Sequence, residues 1–227
     1  MFSVIFEVHP KPGQWDNYLD NATMLRPELE KVDGFVDNVR FRSLTREGWI
    51  LSLSSWRDEK SVVRWRTHFR HHAVQEKGRT EIFLDYHLRV GQLTRDTNIP
   101  EDFELHEQRL DETEAGEATT VILINSTLGS EGLKDSSAEE VASRLGLRPK
   151  AEGLVDWDIL DAVLTPGDVI LLLSYRTCLQ AEAFENSISP QNGVRFRRVR
   201  VIRDYGMYDR REAPQYYADV LLDETAT

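Results

Sequence analysis

Four of the six histidines and three of the five tryptophans fall between residues 49 and 90. His68, His71 and His72 stand close together, and His87 follows directly after Tyr86. Imidazole is the natural general base near neutral pH, because its unperturbed pKa is ~6.5. A site that removes a proton also needs a donor for the oxyanion that forms and walls that keep water out. His72 or His71 is the candidate base, and Tyr86 or Arg40 the candidate donor. Trp65 and Trp56 are the candidate walls, with His68 and His87 beside them. His72 lies seven residues after Trp65, about two helical turns, so it shares the Trp65 stripe. His68 and His72 stand four apart, the spacing of two metal ligands on one helix. No H-E-x-x-H motif accompanies them, and a third ligand would have to be Glu76 or His87, so no metal is expected.

These side chains need a strand, a helix and a second strand to hold them. WILSLSSW puts Trp49, Leu51 and Leu53 on one side, with Ile50 and Trp56 among the residues opposite, a period-two pattern. Asp58 then caps a helix with apolar positions Val62, Trp65, Phe69 and Ala73, which Gly78 ends. IFLDYHLRVGQL alternates again, with Ile82, Leu84, Tyr86, Leu88 and Val90 on one face. Upstream, SVIFEV and FVDNVRFRS read as strands around a helical stripe from Trp15 to Val32, which Pro27 should kink or split at Arg26. Residues 1–97 thus have the order βαββαβ of a ferredoxin-like unit, an α+β fold. Residues 98–118 break every periodicity and read as an acidic linker, with one short helix near Phe103–Leu110. The same order returns over 119–210, and 211–227 form a tail.

The two parts align at a constant offset of 119 residues: Gly34 with Gly153, Gly48 with Gly167, Arg57 with Arg176, Asp85 with Asp204 and Tyr86 with Tyr205. The copies are unequal. The second has no histidine and one tryptophan; Trp56 becomes Tyr175, His72 becomes Gln191 and His87 becomes Gly206. A titratable set kept in one copy implies one working pocket and one structural partner. Recurrence of Tyr86 and Arg57 in both copies favours structural roles for them.

Net charge is −11, and residues 99–118 set eight acids against one Arg. An acidic chain is repelled by phosphate backbones, so no nucleic-acid partner is expected. No apolar run approaches the ~20 residues of a membrane span. MFSVIFEVHP enters a strand directly and does not read as a secretory leader. The single Cys178 excludes an intramolecular disulfide and reads as a core residue in a reducing, cytoplasmic setting.

At W-R-D-E, W-R-T-H-F-R-H-H, Gly78-Arg79 and D-Y-H-L-R-V, the first part resembles the antibiotic biosynthesis monooxygenase (ABM) superfamily. The resemblance covers residues 1–95; the second part joins it through the repeat. It implies four-stranded antiparallel sheets with helices on one face, two of which meet as a dimeric α+β barrel. A chain with two units would close a pseudo-dimer within itself, with or without a further homodimer. It also implies a cofactor-independent monooxygenase acting with O2 on an aromatic or polyketide-like small molecule. In such a reaction a deprotonated substrate passes an electron to O2 in a dry pocket. A non-catalytic ligand-binding or stress-response module is the alternative within the same superfamily. Haem-degrading relatives resemble each other in an Asn on the first strand and a His well beyond a helical Trp. Here the first strand offers Glu7, and His71 and His72 follow Trp65 too closely, so haem is the lesser reading.

Overall fold

The structure is a computed structural model that describes residues 1–188, 193–217 and 220. Gln191, the expected counterpart of His72, lies outside the described residues, as does most of the tail beyond Tyr217. The first unit comprises β1 (Phe2–Pro10), α1 (Trp15–Leu29), β2 (Phe35–Ser43), β3 (Ile50–Trp56), α2 (Glu59–Arg66), α3 (Phe69–Lys77) and β4 (Phe83–Asp96). The second comprises β5 (Thr120–Thr127), α4 (Gly129–Leu133), α5 (Ala138–Arg144), β6 (Leu154–Ala162), β7 (Asp168–Tyr175), α6 (Cys178–Ser187) and β8 (Arg195–Gly206).

The eight strands close into one antiparallel barrel in the order β1-β3-β2-β6-β7-β5-β8-β4. Each unit contributes a ferredoxin-like sheet, and the seams are β2 with β6 and β4 with β8. Closure within one chain leaves no sheet edge open to another molecule. The register of β2 on β3 is repeated by β6 on β7, including the irregularity at Phe35/Asp37 and at Leu154/Asp156.

Alternation along the strands decides what each face does. On β3, Leu51 and Leu53 turn inward and pack with Ile5, Leu93, Leu123, Leu172 and Val199 in the barrel core. Burying each such side chain contributes about 2 kcal/mol. Ile50, Ser52, Ser54 and Trp56 point the other way, towards the helices. Gly34 precedes β2 at φ +87, and a β-carbon there would lie 2.1 Å from Ser61 Oγ on α2. Its counterpart Gly153, at φ +77, comes within 2.1 Å of Gln180 on α6. Only glycine lets the chain take this left-handed turn so close to the helix.

Several expectations are corrected. Pro27 does not split α1, which runs on through it to Leu29. The helix expected to run unbroken from Asp58 to Gly78 breaks after Arg66. Thr67 turns its hydroxyl back to the Val63 carbonyl (2.9 Å), and His68 is extended at φ −63, ψ 128. Phe69 is consequently 72% exposed. Gly78 does not end the helical run, which continues as a π turn through Ile82. The linker forms no helix near Phe103–Leu110. It is a packed strap: Ile99, Phe103 and Leu105 lie against the barrel core. Gln92 Oε1 accepts the backbone N–H groups of Gln108 and Arg109 (2.7 and 2.9 Å). Arg109 pairs with Glu59 at the start of α2 (2.8 Å). Cys178 opens α6 half-buried rather than in the core.

Candidate active site

A cavity of about 190 Å³ lies between the helix-facing side of the first sheet and α1, α2 and α3. Its walls are mostly apolar. Phe6, Tyr18, Phe83 and Tyr86 meet edge to face, with ring centroids 5.7–6.4 Å apart. Trp56 is fully buried at one end, with its indole N–H given to Ser54 Oγ (2.9 Å). Asn38, Arg40, Ser52 and Ser54 make a polar floor on β2 and β3. Asn38 Nδ2 donates to Ser52 Oγ at 3.0 Å. Arg40 lies over the Tyr18 ring, 6.0 Å from its centroid. Its Nε is buried with no hydrogen-bond partner among the described residues.

The helix break decides which histidine enters. Because α3 restarts at Phe69, His71 rather than His72 stacks on Trp65, at 4.3 Å and 15°. His71 Nδ1 meets the Trp65 carbonyl oxygen at 2.9 Å, so Nδ1 carries the hydrogen and Nε2 keeps the lone pair. Burial pushes the His71 pKa down to about 4. The ring is therefore neutral at pH 7, an acceptor and only a weak base.

Of the sequence candidates, Trp65, Trp56, Arg40, His71 and Tyr86 meet at the cavity. The other three do not line it. His72 is exposed on α3, with Nδ1 2.8 Å from the Tyr217 hydroxyl, which donates to Gln75 Oε1 (2.8 Å). His68 stands at the N-terminal end of α3 without a side-chain capping bond and stacks on Trp65, with Nε2 4.0 Å from Glu28. His87 turns to the barrel side of β4, away from its neighbour Tyr86, and binds Asp204 (2.6 Å). Glu7 is also inside the barrel, paired with Arg89 and with Arg46 (2.6 Å), which hold its carboxyl below the usual range despite burial.

Residues outside the set of site candidates complete the cavity. Arg79, on the π turn, donates to the Tyr86 hydroxyl at 2.7 Å and to the Met207 carbonyl at 3.2 Å. Arg210, Gln215 and Tyr217 come from the segment after β8 and form an outer wall. Arg210 Nη1 reaches the Tyr86 hydroxyl at 2.5 Å, and its guanidinium lies over the Tyr205 and Tyr217 rings (5.6 and 5.4 Å). Burial pushes the Tyr217 pKa up to about 12.

The chain is 48% identical over 223 residues to the jasmonate monooxygenase ABM of Pyricularia oryzae, an alignment spanning 96% of this chain and 98% of that protein. The sequence pattern of the antibiotic biosynthesis monooxygenase family matches residues 1–77. The chain belongs to the antibiotic biosynthesis monooxygenase family. A monooxygenase-type function accompanies that membership. Two solved aldoxime dehydratases share the fold alone. One, in complex with butyraldoxime, has a TM-score of 0.55 at 11% identity, covering 88% of this chain and 79% of that one. The other has a TM-score of 0.54 at 10% identity, covering 88% and 80%.

In this ABM chain the two units differ at the floor. Matched register puts Trp157, Ile159, Leu171 and Leu173 of the second unit where the first has Asn38, Arg40, Ser52 and Ser54. All four pack into the second unit's helix-facing core with Val141, Ala181 and Phe184. The floor was therefore readable from the repeat itself, as four polar or small positions whose copies are large and apolar. Nothing local in the sequence marks Arg210 or Tyr217. No helix among the described residues is long and apolar enough to cross a membrane.

Proposed function

We propose that the first-unit cavity is the catalytic site of a cofactor-independent monooxygenase acting on a jasmonate-like substrate, a small cyclopentanone carboxylic acid. The observation that carries this reading is Arg40, a guanidinium on the floor of a mostly apolar cavity. A carboxylate ligand there would pair with this guanidinium through charge-assisted hydrogen bonds. The substrate named for the 48% identical relative is an acid of this kind. Tyr86, at the opposite end of the aromatic wall, is placed to donate to a ring carbonyl.

Proton removal by a base as weak as His71 needs a carbon or hydroxyl already acidified, as beside a carbonyl whose oxygen accepts a hydrogen bond. Oxidising a CH2 to C=O balances with O2 alone: the substrate supplies all four electrons, and the second oxygen leaves as water. Converting C–H to C–OH takes two further electrons and two protons from an external reductant. His71 is the imidazole that lines the cavity among the described residues. The aromatic walls favour a second reading, an aromatic or polyketide-like substrate such as an anthrone.

The test is oxidation of jasmonic acid and of anthrone under isotopically labelled O2, followed by mass spectrometry. Label in the jasmonate product, with KM raised about tenfold or more by Arg40→Gln, supports the first reading. Label in anthrone alone supports the second. Binding of either without oxidation would make the chain a ligand-binding module.

A further inference from the structure

We propose that Arg210, carried beyond the second unit's last strand, is a positioning residue for the first unit's pocket: with Arg79 it aims the Tyr86 hydroxyl hydrogen at a ligand oxygen. A phenol has one hydrogen and two lone pairs. Arg79 Nη1 donates to the Tyr86 oxygen at 2.7 Å and Arg210 Nη1 at 2.5 Å. Guanidinium groups accept nothing, so the hydroxyl hydrogen has to point elsewhere. Tyr86 is buried against the cavity, and no acceptor among the described residues takes that hydrogen. Two charged donors on one oxygen also strengthen the bond that oxygen donates in turn.

Arg210 is itself held in place. Its Nη2 donates to the Gln215 carbonyl at 2.8 Å, and the rings of Tyr205 and Tyr217 flank its guanidinium. The chain reaches this position by turning back after β8: Met207 N–H bonds the Tyr86 carbonyl (3.1 Å), and Gly206 N–H bonds Asp209 (2.8 Å). The unit whose own floor is filled thus supplies a polar group to the other unit's site. This rests on the cavity being a ligand site and specifies what Tyr86 does there: it holds an oxygen that is, or becomes, negatively charged.

The probe is 4-nitrophenol, whose absorbance reports ionisation of and hydrogen bonding to its oxygen. It is titrated into the full chain and into Arg210→Gln, Tyr86→Phe and the double variant. Arg210→Gln is expected to weaken binding of the nitrophenolate about tenfold beside Tyr86, and less than about twofold in the Tyr86→Phe background. Equal losses in both backgrounds, no loss in either, or no binding by the unmodified protein would overturn the assignment. Should Arg210→Gln melt well below the parent, Arg210→Lys goes through the same cycle under the same criteria. Failure to oxidise jasmonate with this pattern intact removes the proposed substrate and leaves Arg210 in its role.

Discussion

Arg42 and Asp161 hold the same position in the two units and face each other across the β2–β6 seam, Arg42 Nη2 standing 3.1 Å from Asp161 Oδ2. On the two-fold axis of a true homodimer a residue meets its own copy, so either charge alone would meet its like. Two unequal units in one chain replace that repulsion with an ion pair. Asp161 is buried and also accepts the Gly167 N–H at 2.7 Å, which ties the seam to the β6–β7 turn.

Restoring like charges at the seam should therefore destabilise the barrel. Arg42 is more than half exposed, so Arg42→Ala costs no more than about 1 kcal/mol. Arg42→Asp costs roughly 1 kcal/mol further, because two carboxylates then sit on directly paired residues. Urea unfolding of both variants measures this. Equal midpoints would mean that the pairing is immaterial to closure.

Filling the floor should separate activity from stability. Ser52→Leu copies the second unit's Leu171, which packs into a filled core at the same register. The apolar side chain enters space rather than displacing neighbours, so the melting temperature stays within a few degrees (about 1 kcal/mol or less). Oxidation and ligand binding fall at least about tenfold. Retained turnover would place the chemistry outside this cavity.

Acid should expose His71. Its folded pKa, about 4, lies below the unperturbed 6.5. Above about pH 6.5 neither folded nor unfolded chain binds this proton, and the contribution to stability is complete. As pH falls from about 6.5 to about 4 only the unfolded chain takes it up, so stability declines through that window. His71→Gln should show a shallower loss between pH 7 and pH 5 in urea titrations. An anionic ligand beside the ring should raise the His71 pKa, which ring-proton NMR follows. A His71 that titrates near 6.5 in the free protein would refute its burial.

Strands were the most legible part of this chain, because period-two alternation says both that a strand exists and which face is buried; the Leu51/Leu53 and Ser52/Ser54 split survives in the barrel. The break at Thr67 was hidden because Val62, Trp65, Phe69 and Ala73 keep helical spacing across it. A side chain returning to the Val63 carbonyl, not composition, ends α2. That one turn rotates His71 onto Trp65 and His72 out to solvent, so the expected stripe mates differ from the actual ones. Trp65, Trp56, Arg40 and Tyr86 were found because they stand out as residue types beside a strand or helix pattern. Arg210 and Tyr217 touch partners more than a hundred residues away, and no local pattern records such contacts.

The wall that carries Arg210 and Tyr217 is made after every strand and after every other residue of the cavity. A fragment ending at Gly206 would contain the whole barrel and an unfinished site. Folding and competence thus become separate events in the life of the chain. A chain cut anywhere in that short segment would have its architecture complete and its chemistry not yet switched on.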